Sequence, residues 1–161
     1  MKKLLSLLLA LTLLASLTAV MAEPYTTDFD VPATGKPLII YSWNDEFQGM
    51  LRNYYIPAVG GTVGDDGSMT LPNGDTIEFV INPNDGGVYQ QKLDAALAAG
   101  EPMDMFLIEA DYALKYVNTD YTLPLEKVGI TEDQLAQQYP YTIDVARDEA
   151  GVVKGTSWQA A

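Results

Sequence analysis

The chain has 161 residues, 22 of them acidic against 9 basic, for a formal net charge of −13, and it contains neither histidine nor cysteine. A surface of that sign cannot displace the counterions around a nucleic acid and is repelled by anionic membranes. The absent residue types exclude Ser-His-Asp and Cys-His catalysis, histidine- or thiolate-bound zinc and disulfide bonds, so any chemistry would fall to carboxylates, Lys or Tyr.

At the N-terminus, Lys2-Lys3, the apolar run Leu4 to Leu17 and the end Val20-Met21-Ala22 have the plan of a secretory signal peptide, with cleavage expected after Ala22. Leu4 to Met21 is also about long enough to span a bilayer, which leaves an uncleaved anchor as the alternative. Residues 23–35 have two prolines and no periodicity and read as an extended tether. Residues 36–161 are then expected outside the cytoplasm, secreted, periplasmic or at the cell surface, as one domain large enough for a core.

Leu38-Ile39-Ile40-Tyr41 is short, apolar and β-branched, as a buried strand requires. Phe47, Met50, Leu51, Tyr54 and Tyr55 fall at i, i+3, i+4, i+7 and i+8, which predicts a helix with both tyrosines in its core face, capped by Asp45 with Gln48 and stopped by Pro57. Gly60 to Gly74 reads as a loop whose Pro72-Asn73-Gly74 turn pairs Met69 to Leu71 with a strand Thr76 to Ile81. Asp65-Asp66-Gly67 lacks the other acidic positions of a calcium loop and reads as a solvated turn. Asp85 is expected to cap a second helix carrying Tyr89, Leu93, Ala96 and Leu97 and ended by Gly100 and Pro102. The nearly unbroken apolar run Met103 to Ile108 predicts a parallel strand covered on both faces. A helix over Asp111 to Thr119, a packed loop Leu123-Pro124-Leu125, a capping box from Thr131 to Gln134, helical turns over Tyr141 to Ala146 and a strand from Val152 to Trp158 follow.

Strand, helix, strand, helix, strand predicts an α/β fold: a doubly wound, mostly parallel sheet with helices on both faces. The C-terminal strand ends of such a sheet share one rim, which would gather Trp43 to Glu46, Asn82 to Asp85 and Glu109 to Tyr112. Indole beside amides and carboxylates suits a sugar, whose C–H face packs on the ring while its hydroxyls meet the polar groups. Asp45 and Asp85 read first as helix caps and second as ligand contacts, and Trp43 and Trp158 read equally as packed aromatics. Glu109 and Asp111 form a carboxylate pair, so a secreted glycosidase is the alternative, although i, i+2 spacing fixes neither a retaining nor an inverting separation. A third reading is an acidic surface protein with no small ligand. No phosphate-binding glycine loop or Walker lysine is present, so no nucleotide cofactor is expected, nor any metal.

The segments P-L-I-I-Y-S-W-N, Y-Q-Q-K-L-D-A-A-L-A-A-G-E-P-M-D-M-F-L-I-E-A-D, L-P-L-E and G-V-V-K-G-T-S-W-Q-A-A resemble the N-terminal lobe of bacterial extracellular solute-binding proteins of the carbohydrate type, which includes maltose-binding protein. The second segment is the most specific. The resemblance implies two α/β lobes that close on a ligand at a hinge and deliver it to an ABC-transporter permease in the membrane, without catalysis. It puts Asp111 at the acidic position that takes sugar hydroxyls, Trp43 and Asn44 on the first-strand rim, and Trp158 and Gln159 at the approach to the second lobe. Asp45 and Glu109 join them as ligand-facing candidates. Family members are much longer, so this sequence is expected to hold the first lobe only and to bind weakly or not at all alone. Polyamine or peptide ligands suit an acidic aromatic rim as well.

Overall fold

The computed structural model describes residues 29–159, so the predicted signal segment and most of the tether lie outside the described residues. Strand β1 (Leu38–Ser42) is followed by helix α1 (Glu46–Met50), a π-helical segment Leu51–Tyr55 and helix α2 (Ile56–Ala58). Then come β2 (Thr62–Val63), β3 (Met69–Thr70) and β4 (Thr76–Ile81). The five-stranded sheet, completed by β5 (Met105–Phe106), has the order β2-β3-β4-β1-β5.

β1 runs parallel to β4 and to β5, as expected, whereas β3 pairs antiparallel with β4 and β2 with β3. The architecture is therefore α/β, but the sheet is mixed and not mostly parallel. The cause is the tight turn at Pro72-Asn73-Gly74, because a connection that short joins only antiparallel strands. Gly74, at φ 92°, donates its N–H to the Leu71 carbonyl at 2.9 Å.

Alternation along β1 divides the interior, since successive side chains of a strand point to opposite faces. Ile40 packs with Ile56, Met69 and Ile77, joined by Phe47 and Leu51. Tyr41 packs on the other side with Tyr89, Leu93 and Ala96 of α3 (Val88–Ala99) and Tyr116 of α4 (Ala110–Val117). Helices thus cover both faces.

The expected burial of Tyr54 and Tyr55 is not found: they are 71% and 41% exposed, while Ile56 is fully buried. A π turn holds more residues than an α turn, so the stripe Phe47, Leu51 continues to Ile56 at i+5 and not to Tyr55 at i+4. Pro57 does not stop the helix but sits in the first turn of α2. The predicted Asp45 cap fails as well. Asp45 makes no capping bond, and the Asn44 Oδ1 accepts the Glu46 N–H at 3.1 Å in its place. Nor does Asp85 cap α3: it lies in a 3₁₀ turn, Asp85–Gly87, and left-handed Gly87 precedes the helix.

At the other end of α3, Gly100 adopts φ 66° and Glu101 N–H reaches the Ala96 carbonyl at 3.0 Å, the expected glycine stop. The run Met103 to Ile108 yields only the two-residue β5. It is an edge strand with a partner on one side, and Met105 is 43% exposed, so the expected two-sided cover is absent.

The capping box forms at α5 (Glu132–Leu135), where Gln134 Oε1 accepts the Thr131 N–H at 2.8 Å. Pro140 opens α6 (Pro140–Asp144). The predicted strand Val152 to Trp158 is reduced to an isolated bridge between Arg147 and Val153. The bridge is made by Asp148 N–H to the Val152 carbonyl at 3.0 Å and Lys154 N–H to the Ala146 carbonyl at 2.9 Å, and beyond it the segment receives only a bond from Leu125 N–H to the Val153 carbonyl, so no ladder builds. Arg147 fastens this region by a bidentate contact to Glu132 at 3.0 and 3.2 Å and a bond to Asp144 at 3.1 Å. Near the start of the domain, Asp75 accepts the backbone N–H groups of Thr34 at 2.8 Å and Gly35 at 2.9 Å, and these bonds, Thr34 foremost, hold its carboxyl below the usual range. Among the described residues no helix is long and apolar enough to cross a membrane.

Candidate functional site

The rim is made where parallel strands end together. Asn82 N–H bonds the Ser42 carbonyl and Leu107 N–H the Tyr41 carbonyl, both at 2.9 Å, so the chain leaves β4, β1 and β5 side by side. Beneath them the buried Tyr89 hydroxyl donates to the Leu107 carbonyl at 2.5 Å, with the Tyr41 carbonyl at 3.2 Å. Burial, and then the charge of Tyr116, push this hydroxyl up, so it stays a donor.

Two successive left-handed residues, Gly86 (φ 62°) and Gly87 (φ 82°), turn the chain from Asn84 into α3, a conformation that costs any residue with a Cβ about 1 kcal/mol. The turn brings Asn84 and Gln90 to one carboxylate. Asn84 Nδ2 donates to Glu109 Oε2 at 3.0 Å and Gln90 Nε2 donates to the same atom at 3.4 Å. Gln90 is only 7% exposed, and the Asn84 Oδ1 and Gln90 Oε1 atoms are buried with no hydrogen-bond partner. Glu109 itself is exposed and, among the described residues, forms no ion pair; Lys92 Nζ donates to Asn82 Oδ1 at 2.8 Å.

The predicted candidates divide. Trp43 is half-buried and packs edge-on against Tyr89 at 5.7 Å, a core contact that leaves part of the indole on the rim. Asn44 spends its amide oxygen on the α1 N-terminus and its backbone on Ser42, whose Oγ donates to the Asn44 carbonyl at 2.7 Å. Glu109 is gathered with Asn84 and Gln90, whereas the Asp45 and Asp111 carboxylates are exposed and form no side-chain hydrogen bond or ion pair among the described residues. Trp158 and Gln159 form a separate group at the start of α1: Trp158 packs on Phe47 at 5.3 Å, and Gln159 Nε2 donates to Glu46 Oε1 at 2.8 Å. They line a cavity of about 190 Å³ with Gln138, Tyr139, Thr142 and Ser157.

A larger cavity, about 810 Å³, opens at the opposite end of the sheet between Leu38, Ile39, Leu71 and Met103. It holds none of the predicted site residues. Gln90 was missed by the sequence reading although a signal was there: it falls at i−3 and i−7 from Leu93 and Leu97, a polar residue on the apolar stripe of α3. Among the described residues no group of three or more acidic side chains comes close enough to hold a metal ion. No family model, curated protein or solved structure matches the chain.

Proposed function

We propose that the chain is a non-enzymatic solute-binding lobe, exported by its signal peptide, that takes a sugar-like solute on the rim of Trp43, Asn84, Gln90 and Glu109. On this reading the three parallel strands are the heart of a doubly wound lobe of the periplasmic-binding-protein kind. A second lobe would supply the facing wall of the cleft, and an ABC permease would receive the solute. The observation that carries it is the gathering of an indole, two amides and a carboxylate where β1, β4 and β5 end, the position at which open α/β sheets take their ligands. An aromatic face with a polar fringe is what a pyranose ring needs.

One wall provides few contacts and little burial, so binding is expected in the millimolar range, about −4 kcal/mol. Titration of the uniformly ¹⁵N-labelled chain with a panel of neutral mono- and disaccharides, read by NMR, tests the reading at that affinity. The Trp43 indole N–H signal should move saturably and that of Trp158 little. A panel that leaves the Trp43 signal still at tens of millimolar sugar overturns it.

A further inference from the structure

The cavity of about 810 Å³ lies at the end of the sheet away from the rim, and two separate parts of the chain wall it. Leu38, Ile39, Leu71 and Met103 form the sheet side, while Phe29 and Val31 come from an irregular strap, residues 29–36, that leads into β1. Among the described residues, every hydrogen bond from this strap to the rest of the domain ends on Asn73 or Asp75. Asp75 accepts from the Thr34 N–H, the Thr34 hydroxyl at 3.0 Å and the Gly35 N–H, and Asn73 Nδ2 donates to the Pro32 carbonyl at 3.3 Å. A segment fastened at one turn and otherwise lying on the surface has a low cost of local opening.

The polar groups of the lining are spent within the protein: Asp75 on the strap and on Asn73 Nδ2 at 3.2 Å, Asn73 Oδ1 on the Asp75 N–H at 3.0 Å, and Asp104 Oδ2 on the Ile39 N–H at 2.8 Å. Lys36 is exposed and forms no ion pair among the described residues, so its ammonium stays in water. A polar molecule would therefore leave water without replacing its hydrogen bonds, whereas an apolar one gains by burial. Two carboxylates against one ammonium, in a chain of net charge −13, disfavour an anion further, and Asp75, filled with donors, has little left for a cation. The volume falls within the roughly 300–1,000 Å³ of pockets that take small organic ligands. We propose that this cavity binds a neutral apolar molecule of bicyclic size, and that the strap is its lid, latched by Asp75. The site is separate from the rim, and the proposal does not rest on the solute-binding reading.

The test titrates the full chain, labelled at its methionine methyl groups, with 2-naphthol and with naphthalene-2-sulfonate, the same rings carrying a negative charge. 2-Naphthol should shift the Met103 methyl signal saturably below about 1 mM and leave that of Met50, exposed on α1, in place; the sulfonate should bind at least about tenfold more weakly. The strap variant Phe29→Ala/Val31→Ala touches neither core cluster and should weaken 2-naphthol about tenfold. Asp75→Asn should shorten the lifetime of the bound state, seen as faster exchange of the Met103 signal. Equal movement of Met50 and Met103 would mean adhesion to exposed apolar surface and overturn the site, as would a Met103 signal unmoved at the solubility limit of 2-naphthol. Sulfonate binding as tight as that of 2-naphthol overturns the neutral class, and an affinity unchanged in the strap variant overturns the lid.

Discussion

The Tyr89 hydroxyl links the core of the molecule to its rim. It is buried, and its proton goes to the Leu107 carbonyl at 2.5 Å, because the Tyr41 carbonyl already accepts Leu107 N–H. Tyr89→Phe keeps the ring that packs on Trp43 and leaves the Leu107 carbonyl without that bond, a loss of about 1–3 kcal/mol for a buried acceptor. Urea unfolding should show it as a lowered midpoint at unchanged slope. The loss should be the same from pH 6 to pH 9, since burial raises the hydroxyl and keeps it protonated throughout. A midpoint unmoved by the substitution would mean that the ring alone holds the strand ends together.

Among the elements, the π-helical segment Leu51–Tyr55 decides which residues reach the core. Ile56→Ala is expected to cost about 2–5 kcal/mol, as for any fully buried isoleucine, and Tyr54→Ala less than about 0.5 kcal/mol. Equilibrium unfolding of the two variants compares the registers directly, because a regular α-helix would reverse the order. The sequence concealed this feature, since counting at 3.6 residues per turn assigns Tyr54 and Tyr55 to the buried face and nothing in L-R-N-Y-Y signals a wider turn. By contrast β1, β4 and α3 were legible: their apolar periods agree with local turn chemistry, such as the Gly100 stop. β5 and the segment after Val152 were not, because apolar runs tell nothing of whether a neighbouring strand exists to pair with. The rim was half legible. Glu109 could be read as a strand-end acid, while its union with Asn84 and Gln90 depends on the left-handed turn at Gly86 and Gly87.

On the scale of the whole molecule, one strand serves two interiors, Ile40 facing Ile56 and Tyr41 facing Leu93. Side chains in one cluster share partners and should couple; those separated by the sheet should not. For Ile40→Val with Ile56→Ala, a double-mutant cycle is expected to give an interaction energy of about 0.5 kcal/mol or more, and for Ile40→Val with Leu93→Ala the effects should add within about 0.5 kcal/mol. The division has a functional edge. Tyr89 and Gln90 stand on α3 beside the Tyr41 cluster, whereas Phe47, which seats Trp158, belongs to the Ile40 cluster. Ile56→Ala should therefore disturb the Trp158 indole signal and leave the Asn84 and Gln90 amide signals in place, with Leu93→Ala doing the reverse. Coupling across the sheet as strong as within a face would show that the rim cluster and the Trp158 contact respond as one unit.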